Sequence, residues 1–411
     1  QGRRALRDPR LWIAIAFGAA AWTPLLAWNF ENAEAGLRFQ LVDRHPWAWQ
    51  PEGIWFIAIQ ALLATPLLFA ALLWAGWRGL RSDGDPLRFI ALCGGLVVLG
   101  FFVLGFFADT ERVSFHWPLP GLVALLPLLP ALLLRWPRWL RVLTWASAGA
   151  GLAAVLGYYA FVSVPELRAR TAALKWYPSN FAGWDTLAEG VRELRAEMPD
   201  GTRIVADNFK VGAELGFALG DPSIEVLEHP VNRQHGRAPQ LRLWGLEATG
   251  ATDPGGPVLL VIAASEIEYK YLLLRYHALC RRCGPLPPPR VLNVDHGRTR
   301  FLLFAIEGGP RDPEAACTLP AMAWIDRPAS NGRVGRAFTV DGWAFKDGVG
   351  IERVEVLLDG RVVADAEYGI TSPGVARYWE ISTDPRHPDV GFSVRVELPP
   401  GSRGTHWLGL R

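Results

Sequence analysis

The sequence predicts a multi-domain protein in which an α-helical transmembrane bundle is followed by a small α/β domain and a C-terminal β-sandwich. Long apolar stretches fill the first ~165 residues, and almost nothing after them is apolar enough to cross a bilayer. Strand-like and helix-like patterns then alternate, and the last segment alternates with a period of two. A chain of 411 residues is too long for one ordinary core. We place the regions at residues 1–164, 165–310 and 318–411.

Five apolar stretches are each about long enough to cross ~30 Å of hydrocarbon at a rise of about 1.5 Å per residue. Tryptophans cluster at their ends, as in an interfacial belt. Neighbouring helices allow the prolines that several of them contain. The predicted spans are Leu11–Trp28, Ile54–Trp77, Arg88–Phe107, Trp117–Leu134 and Trp139–Val164, of which the fourth is short and rich in proline.

Charge predicts the orientation of these spans. The N-terminal flank, the segment between the second and third spans and the segment between the fourth and fifth are all basic. The positive-inside rule places them in the cytoplasm. The loops 29–53 and 108–116, and everything after Val164, then face outward. Abundant Arg, Ala, Gly and Pro are typical of a GC-rich bacterium, so we expect a multi-pass protein of the bacterial inner membrane.

Composition and cysteine spacing limit the classes of binding partner that the sequence allows. A net charge of +2 gives no global attraction for nucleic acid. Cys280 and Cys283 form a C-x-x-C without a second pair, so no metal site is expected, and a local disulfide that leaves Cys317 unpaired is favoured. Cys93 is expected to be a small core residue. No motif identifies a cofactor.

The two outward loops carry side chains suited to a lipid phosphate. Arginine binds phosphate through bidentate hydrogen bonds, and histidine donates or accepts a proton. Carboxylates beside them are candidates for a base or metal ligand, although solvated loop side chains explain the same pattern. The candidate substrate-binding residues are Arg38, Arg44 and His45 in the first loop and Arg112 and His116 in the second; the carboxylates are Glu31, Asp43, Asp109 and Glu111.

Several segments resemble a known group of membrane enzymes. The sequence "WN" at a span end followed by "RFQLVDR", the run "RVSFHWPLPGLVALLPLLP", and the later "FAGWDTLAEGVREL", "RIVADNFKVGAELGFAL" and "QLRLWG" are similar to bacterial glycosyltransferases of the dolichyl-phosphate-mannose-protein mannosyltransferase type. These belong to the GT-C superfamily of enzymes that use polyprenyl-phosphate sugars, which includes the aminoarabinose transferases of lipid A. The resemblance extends over about three quarters of the chain.

The resemblance implies transfer of a sugar from a polyprenyl phosphate to a protein, lipid or glycan outside the cytoplasm. Such enzymes have about a dozen spans and an Asp or Glu base in the first outer loop, which has no counterpart here. We therefore expect the C-terminal portion of such an enzyme, with its catalytic residues unassigned. Arg38, Arg44, Arg112 and His116 match regions that contact lipid phosphate and sugar in this group.

Two other classes compete with this interpretation. A non-catalytic, membrane-anchored protein for glycan binding or envelope assembly would show the same layout. A transporter is less favoured, because no charged residue interrupts the middle of a predicted span.

The polar half offers weaker signals. Asp207 and Asn208 follow the strand "RIVAD", where α/β folds often place binding groups, but a helix cap with a packing carboxylate is the favoured interpretation. His229 and His235 lack a third metal ligand. The β-sandwich is expected to be of immunoglobulin type, without a helix and with a hairpin at Asp359-Gly360. Its Trp343 and Phe345 are either core residues, which is favoured, or a pair that stacks on sugar.

Overall fold

The computed structural model describes residues 6–32, 35–43, 47–107, 114–248, 256–308, 317 and 319–411. The chain divides into two compact units, Gln1–Ala160 and Phe161–Arg411. Helices, some of them apolar, make up the first unit, and strand-rich sheets dominate the second. This agrees with the predicted order of a helical region followed by β-containing regions.

The helices of the first unit are mostly apolar, and several start with proline in the first turn, where its missing N–H has no intrahelical acceptor to lose. They are Pro9–Ala20 (α1), Thr23–Glu31 (α2), Ala35–Arg38 (α3), Ile54–Leu63 (α4), Pro66–Leu80 (α5), Asp85–Gly105 (α6), Leu119–Leu125 (α7), Leu129–Leu133 (α8) and Arg138–Ser163 (α9). Helix α9 runs across the boundary between the two units.

Within the described ranges, three segments are long and apolar enough to cross a membrane, namely Pro9–Glu31, Asp85–Gly105 and Arg138–Ser163. They correspond to the first, third and fifth predicted spans. The second predicted span is instead a pair of helices bent by 104° between α4 and α5. Pro66 donates no backbone hydrogen bond, and Thr65 before it has a φ of 64°, so the helix breaks there.

The fourth predicted span forms the shorter apolar helix Leu119–Leu133. It is interrupted by a 3₁₀ turn at Leu126–Leu128 around Pro127. One helix of 15 residues is shorter than the ~20 that a straight span needs, so five simple crossings are not seen.

Helix α5 and the segment that contains α7 and α8 nevertheless extend along most of α6. Near the start of α5 the Phe69 ring lies 6.0 Å from that of Phe102, and near its end a β-carbon at Gly79 would lie 2.9 Å from the β-carbon of Ala91. Helix α5 therefore runs antiparallel along α6. Small residues at such contacts let membrane helices approach closely.

The segment from Trp117 onward also follows α6 in reverse. The Trp117 ring lies 5.6 Å from that of Phe101, and a β-carbon at Gly121 would lie 2.8 Å from the Gly94 carbonyl oxygen. Trp136, beyond α8, packs against the same apolar core. The segment thus covers much of the length of α6, although its helical part is short.

The elements of the second unit alternate at first between helix and strand. The helices are Pro165–Ala169 (α10), Trp184–Glu197 (α11), Phe209–Leu219 (α12), Pro230–Gln234 (α13), Ala238–Leu243 (α14), Tyr269–Cys283 (α15) and Pro373–Tyr378 (α16). The strands are Arg203–Ala206 (β1), Glu225–Leu227 (β2), Glu247–Ala248 (β3), Val258–Ala263 (β4), Arg290–Val294 (β5), Thr299–Ile306 (β6), Met322–Arg327 (β7), Ala337–Phe345 (β8), Val354–Leu358 (β9), Arg361–Ile370 (β10), Gly391–Glu397 (β11) and Leu408–Leu410 (β12).

The first sheet has the strand order β3-β2-β1-β4-β6-β5. Strands β1 to β4 are parallel, whereas β6 is antiparallel to both β4 and β5. Every residue of β4 is buried, as its continuous apolar sequence predicts for a sheet covered on both faces. Side chains of α11, α12 and α14 share one core, and α15 contributes to another.

The second sheet contains the remaining six strands, all antiparallel, in the order β12-β9-β10-β11-β8-β7. Strand β10 pairs with β9 through its first half and with β11 through its second. The sheet can therefore fold around a single core that contains Val340, Val356 and Phe392. The expected two-sheet sandwich is a single, folded sheet in the described strands.

Some local predictions for the β region were confirmed and others were wrong. Asp359 and Gly360 join β9 to β10 with φ values of 49° and 81°, as predicted for a tight hairpin turn. The expectation of no helix is wrong, because Pro373 starts α16 and its fixed φ suits a first helical turn. Phe345 is a core residue, as favoured, whereas Trp343 is partly exposed.

The two predicted soluble domains share a core. Leu273 of α15 belongs to the same buried cluster as Phe345 and Trp379 of the β region. Tyr269 reinforces this contact, because its hydroxyl accepts from the Ala323 N–H at 2.8 Å and donates to the Ala323 carbonyl at 2.7 Å. The β region is therefore packed against α15.

The cysteine predictions were wrong. The disulfide joins Cys280 to Cys317, not to Cys283. Cys283 lies in the same helix, but its side chain is buried in the core of the second unit. Cys93 is exposed on α6 rather than buried, since an apolar membrane helix can present a small thiol outward at little cost.

Candidate functional site

The two polar loops of the first unit come together at one end of its helical bundle. The Gln50 N–H donates to the Phe106 carbonyl at 2.8 Å, and the ring of Trp49 stacks on that of Phe106 with centroids 4.9 Å apart. The buried side chain of Gln60, on α4, donates from Nε2 to the Phe115 carbonyl at 2.6 Å. Trp49 and Gln50 lie near the end of the first loop, Phe106 lies just before the second and Phe115 near its end, so these loop ends lie side by side. We call the described residues of this region the loop mouth, namely 29–32, 35–43, 47–53, 106–107 and 114–117.

The structure describes two of the five predicted substrate-binding residues. Arg38 is the last residue of α3 and is exposed. Helix α3 is fastened to α2 by buried Asn29, whose side-chain oxygen accepts from the Leu37 N–H at 2.8 Å. His116 is exposed in the turn before α7. The remaining three lie outside the described residues, as do two of the candidate carboxylates: Arg44, His45, Arg112, Asp109 and Glu111.

Within the described ranges, no three His, Cys, Asp or Glu side chains are grouped so that they could hold a metal ion. Glu31, at the end of α2, is an exposed carboxylate of the first loop. The chemistry that the described residues of the loop mouth offer is therefore that of exposed Arg38, His116 and Glu31 beside apolar helices.

A second polar cluster lies at the carboxyl ends of the parallel strands. Strands β1 and β4 are neighbours, but β1 connects onward to β2 on its other side, so this edge is where the strand order reverses. Asn208 follows β1, and its side-chain oxygen accepts from the N–H groups of Lys210 at 3.0 Å and Val211 at 3.3 Å. The favoured interpretation of Asn208 as a helix cap is confirmed.

Asp207 is fully buried and pairs with Arg275 of α15. The Arg275 Nε donates to Asp207 Oδ1 at 3.0 Å, and its Nη1 reaches the Glu228 carbonyl at 3.4 Å. Asp207 Oδ2 has no hydrogen-bond partner within the described part of the chain. No sequence pattern pointed to Arg275, because it lies 68 residues from Asp207 along the chain.

His229 lies above the same carboxylate. Its Nδ1 accepts from the Val231 N–H at 3.1 Å, so a neutral ring carries its proton on Nε2, which lies 3.9 Å from Asp207 Oδ2. Burial lowers the pKa of His229 and outweighs the attraction of Asp207, which acts in the opposite direction. The ring is therefore held neutral.

Acid is expected to destabilise this edge of the sheet through His229. As pH falls below about 6.5, an unfolded histidine gains a proton that the folded ring resists, so stability is lost towards low pH. In His229→Asn, which retains an acceptor for the α13 cap, this loss should shrink. The loss of stability is measured in the wild type and in the variant by hydrogen exchange of the β1 and β4 amides. Both chains are solubilised in detergent, and the exchange is corrected for intrinsic rates. An equal acid-linked loss in the variant would contradict the assignment.

No protein-family model, curated protein or solved structure matches the chain. The loop mouth and the Asp207 cluster are two candidate sites among the described residues. In the Asp207 cluster the polar groups are buried and mostly bind each other, whereas Glu31, Arg38 and His116 of the loop mouth are exposed.

Proposed function

We propose that the chain is part of an integral membrane glycosyltransferase that moves a sugar from a polyprenyl-phosphate donor to a protein, lipid or glycan acceptor on the extracytoplasmic face. The observation that carries this proposal is the joining of the two polar loops by the Gln50–Phe106 and Gln60–Phe115 hydrogen bonds. These bonds join the ends of the two segments that contain the predicted arginines and histidines, and this supports a shared site at that end of the apolar helices.

The chemistry of such a transfer fits these residue types. The donor phosphate leaves with negative charge, which a guanidinium stabilises through paired hydrogen bonds. A base must take the proton of the attacking hydroxyl, and the loop carboxylates are the candidates. The long isoprenoid tail of the donor requires a site at the bilayer edge. Arg38, Arg44, His45, Arg112 and His116 are the proposed contacts to phosphate and sugar.

The Cys280–Cys317 disulfide supports an extracytoplasmic second unit. Disulfides persist in oxidising compartments and are rare where the cytosol keeps thiols reduced. The basic segments at the opposite end of the bundle, including Arg78 and Arg81, support the same placement through the positive-inside rule. The proposed location is thus the inner membrane of a bacterium, with the second unit outside.

One observation favours a second candidate, a non-catalytic protein for glycan binding or envelope assembly. Asp207 and Asn208 lie where α/β folds often hold ligands, yet Asp207 pairs with Arg275 and Asn208 caps α12. These two side chains therefore stabilise the α/β region, which favours a non-catalytic role for that region.

Removing a proposed phosphate contact should slow donor consumption. In the full-length protein in detergent, alanine at Arg38, Arg44 or Arg112 is expected to lower turnover of polyprenyl-phosphate sugars about 10²-fold or more, and alanine at His116 to shift its pH profile. Arg78→Ala is the control, since Arg78 is exposed in the last turn of α5, at the other end of the bundle. Full activity in every loop variant would refute the assignment, and a wild-type protein that consumes no donor would favour the second candidate.

A further inference from the structure

One face of the second sheet carries two tryptophans directly opposite each other. In the β7–β8 register Trp324 pairs with Trp343, and Trp324 is 51% exposed. Their chain neighbours Ala323 and Ala344 contribute to the inner core of the sheet. Because side chains alternate along a strand, the two indoles lie on the opposite face, which is buried against α15 at Met322 and Phe345, half-buried at Trp343 and open to solvent at Trp324.

A β-bulge places charged groups on this same face. The register shifts between Ile325 and Arg327, so that Arg327 lies opposite Asp341, with which it forms an ion pair. Asp341 is two residues from Trp343 and shares its face. Asp326 is the extra residue of the bulge, and such bulges re-aim side chains. Burial, and to a smaller extent the Asp341 carboxylate, raise the pKa of Asp326.

The aromatic rings are held rigidly from behind. The ring of Tyr269, from α15, lies 5.6 Å from that of Trp324 and 6.4 Å from that of Trp343. The Tyr269 hydroxyl is fixed by both backbone groups of Ala323. Trp343 also contacts the buried ring of Trp379 at 5.9 Å. Little side-chain freedom remains to be lost on binding, which favours affinity.

We propose that this face, formed by Trp324, Trp343, Asp326, Arg327 and Asp341, binds the pyranose rings of an uncharged glycan. The C–H face of a sugar ring matches an exposed indole, the carboxylates accept hydrogen bonds from hydroxyls, and the guanidinium donates one. A rigid aromatic surface beside a few polar groups is the usual composition of a small-ligand site.

Charge argues against other occupants. Phosphates of nucleic acids and anionic lipid headgroups would be repelled by two adjacent carboxylates. Insertion into hydrocarbon would strand Asp326, Arg327 and Asp341 without water. A polyhydroxylated, neutral ligand meets neither penalty. The inference is independent of sugar transfer, since a glycan-binding face serves either candidate function.

Oligosaccharide binding by the full-length protein in detergent tests this proposal. With cellohexaose, mannohexaose and chitohexaose as probes in isothermal titration, we expect the wild type to bind at least one of them. Trp324→Ala and Asp341→Asn should weaken that binding about tenfold or more, whereas Trp324→Phe, which retains a ring, should weaken it less.

Trp244→Ala is the matched control, because Trp244 is 67% exposed on the α/β region and lies outside the proposed face. It should bind as the wild type does. Equal affinity in Trp324→Ala and wild type, equal loss in the Trp244→Ala control, or no binding of any probe by the wild type would each overturn the proposal.

Discussion

Replacing Asp207 with alanine is expected to destabilise the α/β region by about 3–5 kcal/mol, because it leaves a buried charge without its partner. The Arg275 side chain is only 14% exposed and would face neutral His229 instead of a carboxylate. Water cannot solvate the guanidinium without opening the contact between α15 and the sheet. Hydrogen exchange of the β1 and β4 amides, measured on the full chain in detergent, reports this loss.

Two comparisons distinguish pair breaking from general damage. Glu225→Ala removes another Arg–carboxylate pair of the same sheet, that with Arg203 at 2.7 Å, but both side chains are about a quarter exposed, so we expect a cost below about 1 kcal/mol. Replacing both buried partners together, with Asp207→Leu and Arg275→Met, should recover most of the stability. If Asp207→Ala destabilised the α/β region no more than Glu225→Ala does, the Asp207–Arg275 pair would not stabilise this edge of the sheet.

The second large effect concerns membrane topology, in which a segment either crosses the bilayer or does not. The segment Trp117–Trp136 is expected to cross the membrane even though Leu119–Leu133 is short, because it follows α6 in reverse from Phe101 towards Ala91. Helix α4 lies at the same end of the bundle as the last turn of α6, since a β-carbon at Gly53 would touch the Gly105 carbonyl. In the proposed topology α5 supplies the crossing and the chain makes five passes, so the loops 29–53 and 108–116 and the chain after Val164 are expected to face outward.

Local patterns predicted much of the fold. Strand β4 follows from a continuous apolar run, the Asn208 cap from an Asn just before a helical pattern, and the Asp359-Gly360 turn from residues that accept a positive φ. Each of these depends on a few neighbouring residues, so periodicity and turn chemistry suffice to find them.

Features that depend on distant partners escaped prediction. Arg275 reads as one more basic residue in a helix until Asp207 is placed beside it. Cys280 has a nearby cysteine in sequence, yet its partner is 37 residues away because Cys283 points into the core. The bulge that gathers Asp326 with Asp341 depends on strand register, which the sequence leaves open.

The residue types of the loop mouth were evident from the sequence, but the contacts that form it were not. Its residue types were recognisable from the sequence, because Arg, His and carboxylates next to apolar spans suggest a phosphate-binding surface. The hydrogen bonds that join the two loops, from Gln50 and Gln60, had no sequence signal. Which residues meet there was decided by backbone acceptors, and backbone groups are the same for every residue type.

Labelling of single cysteines in right-side-out membrane vesicles tests the central claim most directly. Asp83→Cys, Ser114→Cys and Thr405→Cys, each in a Cys93→Ala, Cys283→Ala background that leaves no other free thiol among the described residues, would be exposed to a membrane-impermeant maleimide before and after lysis. Positions 114 and 405 should react before lysis, and position 83 should react only afterwards. Protection of position 405 while position 114 reacts would mean that Leu119–Leu133 turns back within the membrane, and sugar transfer with the second unit on the outer face would be contradicted.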